Sequence, residues 1–253
     1  MIDTHAHLYL SEFDTDLAEV IQRAKDNDLE EIWIPGIDSE SLLMMDKLRV
    51  FAPGFFRFFA GLHPCNIQTN YPDELKTIRQ HLDTDSYTGI GEIGLDLHWD
   101  VTYFEEQKIA LTLQLNWAIE QNLPVIIHVR DAFEEMMPLI RPFYSKGLKG
   151  IFHSFAGNQD QATELTQEGG FLLGINGNIT YKKAPVALFL KSIPLNHIVT
   201  ETDAPYLTPI PHRGKRNESS YIPLIIRKLS EIYDISEADL QKQTVLNARR
   251  LLG

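Results

Sequence analysis

Eight short apolar segments, each followed by a longer segment, divide the chain into repeated units. The short segments are rich in Ile, Val and Phe, which is typical of buried parallel strands. We predict strands at residues 1–4, 31–35, 55–60, 88–93, 125–129, 150–154, 170–175 and 197–201. Eight such units predict an α/β fold, specifically a single (β/α)8 TIM barrel.

The longer segments have the periodicity of helices that pack on one face. We predict helices at residues 14–27, 39–51, 72–82, 103–121, 131–144 and 159–168, a shorter one at 185–190, and two closing helices at 221–233 and 236–252. In the helix at 103–121, Ile109, Leu113, Trp117 and Ala118 recur at helical spacing. We expect this face to pack against the barrel.

The length of 253 residues fits one barrel, although it would also suffice for two ordinary domains. No linker, low-complexity tract or internal repeat interrupts the series, so we predict one domain over residues 1–253. No Gly-x-Gly-x-x-Gly turn follows the first strand. A doubly wound nucleotide-binding sheet is therefore disfavoured.

The formal net charge of −12 argues against a protein that binds nucleic acid through a broad basic face. The charge does not exclude a metal enzyme, because bound cations offset the charge of a phosphate locally. Cys65 is the only cysteine, which excludes an intramolecular disulfide and a zinc site made chiefly of thiolates. A metal site in this chain must use imidazoles and carboxylates.

The first residues lack the basic start and apolar run of a signal peptide, and no run of about 18 apolar residues is present. We therefore expect a cytoplasmic protein that does not associate with membranes. No obligate protein partner is evident from the sequence.

Two histidines stand two residues apart, directly after the first predicted strand. Strand alternation directs His5 and His7 to the same side, which in a barrel is the interior. Taken alone the pair is weak evidence, because histidines also occur in cores for structural reasons.

Four further polar residues lie at the C-terminal ends of apolar strands: Glu92, His128, His153 and Asp203. Active sites of barrels are built on this face, and a buried ionisable group without a partner is costly. One such residue could be a core histidine, and Asp203 could begin a turn before Pro205. The six together predict a metal centre for Zn²⁺, Mn²⁺ or Mg²⁺, with a carboxylate able to bridge two ions.

Seven blocks of the sequence closely resemble the TatD-type metal-dependent hydrolases, nearly from end to end. The blocks are IDTHAHL at 2–8, GLHP at 61–64, GIGEIGLD at 89–96, PVIIHVRDA at 124–132, HSFAG at 153–157, ETDAPYL at 201–207 and RGKRNE at 213–218. The combination is specific, whereas His-x-His or Thr-Asp-Ala-Pro alone would not be.

The resemblance places the chain among amidohydrolase-like barrels and implies a site for two divalent metal ions. It assigns His5 and His7 to one ion, His128 and His153 to the other, and Glu92 to a bridging position. Asp203 matches the aspartate that ligates a metal and takes the proton from the attacking water. The catalytic residues implied are thus Asp203 and Glu92.

Known activities of the family include DNA hydrolysis, notably by exonucleases, so the resemblance favours DNA or another phosphodiester as substrate. Candidate substrate contacts on the same face are His63, Arg130, Arg213, Lys215 and Arg216. Each also has a structural explanation. His63 could be a loop histidine bonded to backbone, and Arg130 could form a salt bridge beneath the site. The three cations at 213–216 could belong to a solvated basic loop. We expect Asp96 and His98 to shape the entrance without a catalytic role.

One departure from the family is Tyr9, where relatives usually carry an acidic or amide residue. We expect Tyr9 to affect the loop at the entrance and no metal ligand. Two other functions stay open. One is hydrolysis of a small amide, ester or lactone, since related barrels use nearly the same ligands, and the other is a metal-binding barrel without catalysis.

Overall fold

In a computed structural model that describes residues 1–84 and 86–253, eight parallel strands form one sheet in chain order. The strands are β1 (Ile2–Asp3), β2 (Glu31–Pro35), β3 (Phe56–Ala60), β4 (Gly89–Asp96), β5 (Val125–Arg130), β6 (Gly150–Phe152), β7 (Leu172–Ile175) and β8 (Ile198–Thr200). The first and last strands meet, because the Thr4 amide donates to the Thr200 carbonyl and Ala6 forms a parallel bridge with Ala204. The predicted (β/α)8 barrel is confirmed.

Helices cover the outside of the sheet; six of those described connect consecutive strands, and two follow β8. They are α1 (Leu17–Asp26), α2 (Ser39–Phe51), α3 (Tyr71–Thr84), α4 (Phe104–Gln121), α5 (Phe133–Tyr144), α6 (Gln159–Gln167), α7 (Ile222–Tyr233) and α8 (Glu237–Leu252). The prediction of a helix at 185–190 is wrong, since this stretch forms the short 3-10 turns Pro185–Leu188 and Leu190–Ser192. The segment between Pro185 and Pro194 is too short to repay the cost of starting an α-helix.

The floor of the barrel is an apolar cluster inside the sheet. Seven strands each contribute one side chain to it, and α8 adds two that close the N-terminal end. These residues are Ile2, Trp33, Phe59, Ile126, Ile151, Leu172, Val199, Ala248 and Leu251. Neighbouring strand residues such as Ile32 and Ile127 belong to the other cluster, between sheet and helices, as strand alternation requires.

The two largest side chains of the floor form a stacked pair that packs against a glycine of β4. Trp33 and Phe59 stack with ring centroids 5.3 Å apart, and both are fully buried. A Cβ at Gly89 would overlap the Phe59 ring. Because Gly89 has no side chain, the Phe59 ring can occupy that space and stack on Trp33.

The predicted packed face of α4 is confirmed in part, since Trp117 and Ala118 are buried. The prediction is wrong for Ile109 and Leu113, which are 55% and 41% exposed, and the buried face also contains Gln107 and Gln114. Periodicity alone missed this, because the two amides bond backbone at the strand ends: Gln107 pairs with both the N–H and the carbonyl of Asp96. The helix thereby holds the end of β4 in place.

Within the described residues, no helix is both long enough and apolar enough to cross a membrane.

Replacing Phe59 with Ala should lower the free energy of unfolding by about 3–5 kcal/mol, because the cavity left inside the closed barrel cannot collapse. The matched control is Phe51→Ala at the end of α2, whose side chain is 51% exposed. We expect that change to cost about 1 kcal/mol or less. Denaturant unfolding followed by circular dichroism measures both, and equal losses would contradict the internal stack.

Candidate metal centre

The six residues of the predicted centre lie together at the C-terminal end of the barrel. Glu92 and His128 stand in β4 and β5, while the other four follow β1, β6 and β8. His5 is fully buried and Glu92 is 2% exposed. Parallel strands end on one rim, so residues far apart in sequence converge there.

Glu92 stands between two groups of imidazoles and contacts each with a different oxygen. Its Oε2 lies 3.2 Å from His5 Nε2 and 3.5 Å from His7 Nε2. Its Oε1 lies 2.9 Å from His128 Nδ1 and 3.2 Å from His153 Nε2. The carboxylate is thus placed to bridge two cations.

Asp203 completes the first group. Its Oδ1 lies 3.7 Å from the Nε2 atoms of both His5 and His7. The side chain is 14% exposed, whereas that of Glu92 is 3% exposed. Burial raises the pKa of Asp203 to about 6. Asp203 is therefore the carboxylate of the centre that faces both the imidazoles and the open cavity.

The outward nitrogen of three imidazoles has its own oxygen partner. His153 Nδ1 lies 3.2 Å from Glu201 Oε1, and His128 Nε2 lies 2.9 Å from Asp96 Oδ2. An N–H that donates to these carboxylates leaves the lone pair of the other nitrogen free and pointing inward. This is the arrangement that orients a histidine as a metal ligand.

The third outward partner is Tyr9, whose hydroxyl lies 2.9 Å from His7 Nδ1. The expectation that Tyr9 affects no metal ligand is therefore wrong. His5 differs from all three, because its Nδ1 is buried without a hydrogen-bond partner among residues 1–84 and 86–253. Carboxylates stand behind the second group of imidazoles, and a neutral hydroxyl stands behind the first.

The charges of the centre call for cations. Burial alone would lower the pKa of His153, but Glu92 and Glu201 outweigh burial and hold that pKa well above its usual value. Burial would likewise raise the pKa of Glu92, but the surrounding imidazoles hold it well below its usual value. Protons on the imidazoles satisfy the carboxylates here, and divalent cations would satisfy them better.

The donor atoms fit metal ions in number and kind. Three overlapping groups each place their ligand atoms within 4.8 Å of one another: His5, Glu92 and His153; His5, His7 and Asp203; and His63, Glu92 and His128. Mixed imidazole and carboxylate donors suit zinc, manganese and related divalent ions.

His63 belongs to the third of these groups, but its tautomer indicates that it donates a hydrogen bond and does not bind a metal ion. Its Nδ1 accepts the Cys65 amide N–H at 3.0 Å, so the neutral ring carries its proton on Nε2. That Nε2 lies 3.4 Å from Glu92 Oε1. Burial lowers the pKa of His63, which favours the neutral ring. His63 thus presents an N–H to the cavity, although it also makes the backbone bond that a structural role requires.

The cavity above the centre has a volume of about 670 Å³ and is lined by residues from all eight strand ends. Arg130 and Trp99 stand on its rim, with the guanidinium 5.1 Å from the ring centroid. Trp99 is 72% exposed. Arg130 thus stacks on an aromatic ring, and no salt bridge beneath the site involves it in the described part of the chain.

The structure separates the three cations of the predicted basic cluster. Arg213 lies 4.7 Å above the Tyr181 ring, beside the cavity. Arg216 instead binds both carboxylate oxygens of Asp16 at 2.7 Å, so it anchors the loop to α1. Lys215 is exposed and lines neither the cavity above the centre nor the neighbouring one.

Comparison with known proteins decides the family. Residues 2–253 match the family described as TatD related DNase. The chain belongs to the TatD family.

Relatives cover the TatD-family chain from end to end. The uncharacterized metal-dependent hydrolase YabD of Bacillus subtilis is 35% identical over 253 residues, 99% of this chain and 98% of the relative. The 3'-5' ssDNA/RNA exonuclease TatD of Yersinia pseudotuberculosis is 32% identical over 257 residues, with the same shares covered. The crystal structure of YjjV, a TatD homologue from Escherichia coli, superposes with a TM-score of 0.92 at 26% identity, covering 99% of this chain and 97% of that one. The TatD-family chain is thus a metal-dependent hydrolase.

Sequence reasoning missed the supporting carboxylates of this TatD-family centre. Glu201 stands two residues before Asp203, so strand alternation could have placed it inside the barrel. Asp96 was expected only to shape the entrance, but it lies behind His128. It stands four residues after Glu92 on the regularly paired end of β4, so strand alternation could have placed it on the same side as Glu92.

Replacing Glu201 with Gln should weaken metal binding by about 10- to 100-fold, because the amide no longer fixes and polarises His153. The matched control is Glu168→Gln, an exposed glutamate just after α6. Calorimetric titration of the metal-free protein with Zn²⁺ or Mn²⁺ measures both affinities. Equal affinities in Glu201→Gln and the parent would show that Glu201 does not support a ligand.

Proposed function

We propose that this chain is a nuclease that hydrolyses phosphodiester bonds in single-stranded DNA with the help of two divalent ions. The observation that carries the proposal is the position of Glu92, whose two oxygens face separate imidazole groups. The relatives named as ssDNA/RNA exonucleases support the choice of substrate. The two ions would be zinc, magnesium or manganese, and elemental analysis of the purified protein distinguishes these metals.

Each ion has its own ligands in this proposal. His5, His7 and Asp203 would hold one ion, His128 and His153 the other, and Glu92 both. The ions would neutralise the phosphate and lower the pKa of bound water toward neutrality.

Asp203 is the general base in this proposal. Asp96 and Glu201 are engaged by the outward nitrogens of imidazoles, and Glu92 is enclosed between them. Asp203 lines the cavity and engages no outward imidazole nitrogen, and its side chain is 14% exposed, so it can face the attacking water. It would accept the proton of the attacking water as the phosphodiester is cleaved.

Two side chains would hold the substrate near the centre. His63 would donate its Nε2–H to a phosphate oxygen, because its other nitrogen is occupied by backbone. Arg130 would contact a neighbouring phosphate from the rim, where Trp99 supports its guanidinium. Arg213 is the member of the basic cluster that we retain as a phosphate contact, and we withdraw Arg216 because Asp16 engages it.

Hydrolysis of a small amide, ester or lactone is the competing function, since the same ligands can activate water for attack on a carbonyl carbon. The cations beside the cavity favour the phosphodiester. Arg130 and Arg213 make aromatic contacts and form no ion pair within the described part of the chain, so both charges are available to an anion.

The substrate is tested by metal-reconstituted digestion of end-labelled single- and double-stranded DNA, with products sized over time. Bis-p-nitrophenyl phosphate and a panel of amides and lactones are assayed in parallel. We expect stepwise shortening of the single strand and turnover of the small phosphodiester. Turnover confined to the amides or lactones would overturn the proposal in favour of the competing function.

The two carboxylates should respond differently to substitution. Asp203→Asn keeps an oxygen ligand but loses the basic carboxylate, so kcat should fall by roughly two to four orders of magnitude while most of the metal remains. Glu92→Ala removes the bridging group, so metal content and activity should fall together. Metal content is measured by elemental analysis, and kcat is measured for hydrolysis of bis-p-nitrophenyl phosphate. A fully loaded Asp203→Asn enzyme that works at the parent rate would show that Asp203 is not the base.

A further inference from the structure

A second cavity of about 590 Å³ opens beside the cavity above the metal centre. The two cavities share the residues Ser154, Ala156 and Asn178. Ser154 directly follows His153, so the shared wall begins at the centre itself. A group attached to a phosphate at the centre can therefore extend into this side cavity without leaving the protein surface.

The inner walls of the side cavity are apolar. Phe155 is buried against Phe133 with ring centroids 5.3 Å apart, and Ile175 and Ile179 are each 4% exposed. Val186 adds a further apolar side chain from the 3-10 turn Pro185–Leu188. Walls of this kind, in a cavity of this volume, suit a flat organic group such as a nucleobase with its sugar.

Three cations, Lys182, Lys183 and Arg213, line the same cavity, and among the described residues no carboxylate does. None of the three forms an ion pair in residues 1–84 and 86–253. In a chain of formal net charge −12, three unpaired cations at one cavity create a local attraction for anions that the rest of the surface opposes. Phosphate groups next to the enclosed base would supply the complementary charge.

The side cavity is fixed by its contacts. Tyr181 donates its hydroxyl proton to the Thr208 carbonyl at 2.8 Å, and Arg213 lies over the same ring at 4.7 Å. The loop after β7 and the loop after β8 are thereby joined at the mouth. The side cavity lies where the chain between β7 and β8 forms 3-10 turns and not the predicted α-helix.

We infer that the side cavity is a nucleotide-binding subsite, which takes the nucleoside adjacent to the cleaved phosphodiester and sets the next phosphate against Lys182, Lys183 and Arg213. The inference rests on the proposed nuclease function and adds to it a requirement for chain length. A small phosphodiester reaches the metal centre but has neither a nucleoside for the side cavity nor a next phosphate for its cations. A single-stranded oligonucleotide fills both, since its unstacked bases are free to turn into a pocket.

The test compares kcat/KM for an oligothymidylate with kcat/KM for bis-p-nitrophenyl phosphate, using the metal-loaded full chain. Val186→Trp fills the cavity, and we expect the ratio of the two values to fall by about 10-fold or more, the worth of one base contact. Its control is Leu188→Trp in the same turn, at a residue that is 90% exposed and does not line the cavity. That variant should keep the parent ratio.

A second pair of variants tests the cations independently of cavity shape. The triple variant Lys182→Ala, Lys183→Ala, Arg213→Ala should raise KM for the oligothymidylate. It should also reduce the slope of log KM against log salt concentration by roughly 0.7, as expected when contact with one phosphate of a single strand is lost. The control removes three exposed lysines on α2, α3 and α8: Lys47, Lys76 and Lys242. Both triple variants lose the same net charge, so a purely global effect of charge would move them equally.

The outcomes separate the subsite from the nuclease function. If the parent hydrolyses neither DNA nor the small phosphodiester, the proposed function fails, and the subsite fails with it. If the parent hydrolyses both substrates but Val186→Trp keeps the parent ratio and the two triple variants have equal salt slopes, only the subsite is overturned. Selective loss on the oligonucleotide in Val186→Trp and in the triple variant of the cavity would establish it.

Discussion

The carboxylate of Glu92 is the group on which the arrangement of the centre depends. An ionised side chain that is 2% exposed is stable only where positive charge or hydrogen-bond donors surround it. Imidazoles from the ends of β1, β5 and β6 and from the loop after β3 supply that environment, so distant parts of the sequence meet at one carboxylate. The closed barrel is what brings them together, because its strands end on one rim around a single axis.

The surroundings of the two imidazole groups are unequal. Behind His128 and His153 stand Asp96 and Glu201, whereas Tyr9 stands behind His7 and no partner among the described residues stands behind His5 Nδ1. A carboxylate behind an imidazole raises its basicity and fixes its orientation more strongly than a hydroxyl does. Asp203, the group proposed to move a proton, lies with the imidazoles that lack carboxylate partners, 3.7 Å from the Nε2 atoms of His5 and His7. The more strongly supported imidazoles lie on the other side of Glu92.

Sequence patterns predicted the repeated features of the fold well and the local exceptions poorly. Strand number and order follow from apolar runs, and the six ligands follow from polar residues that interrupt those runs. Asp96 was read as an entrance residue because it stands at the very end of β4, although alternation from Glu92 places it on the same side of the strand, and the proximity of its carboxylate to His128 Nε2 depends on the pairing of β4 with β5. The packed face of α4 was assigned correctly to Trp117 and Ala118 but wrongly to Ile109 and Leu113. Periodicity did not place Gln107 and Gln114 on that face, where their amides bond strand ends that would otherwise lack partners.

The stretch between β7 and β8 is a local exception to the barrel pattern that bears on the proposed function. Its prolines and short length prevent an α-helix, so one unit of an otherwise regular barrel is built from turns. A helix would have packed its apolar residues against the sheet, whereas the turn Pro185–Leu188 leaves Val186 facing a cavity that opens beside the centre. The strands thus fix the groups that we propose perform hydrolysis, and the least regular connection shapes the space next to them. Substrate selection is consequently carried by a segment that can change in sequence without disturbing the ligands, since the strand ends that bear them are held by the barrel floor and by α4.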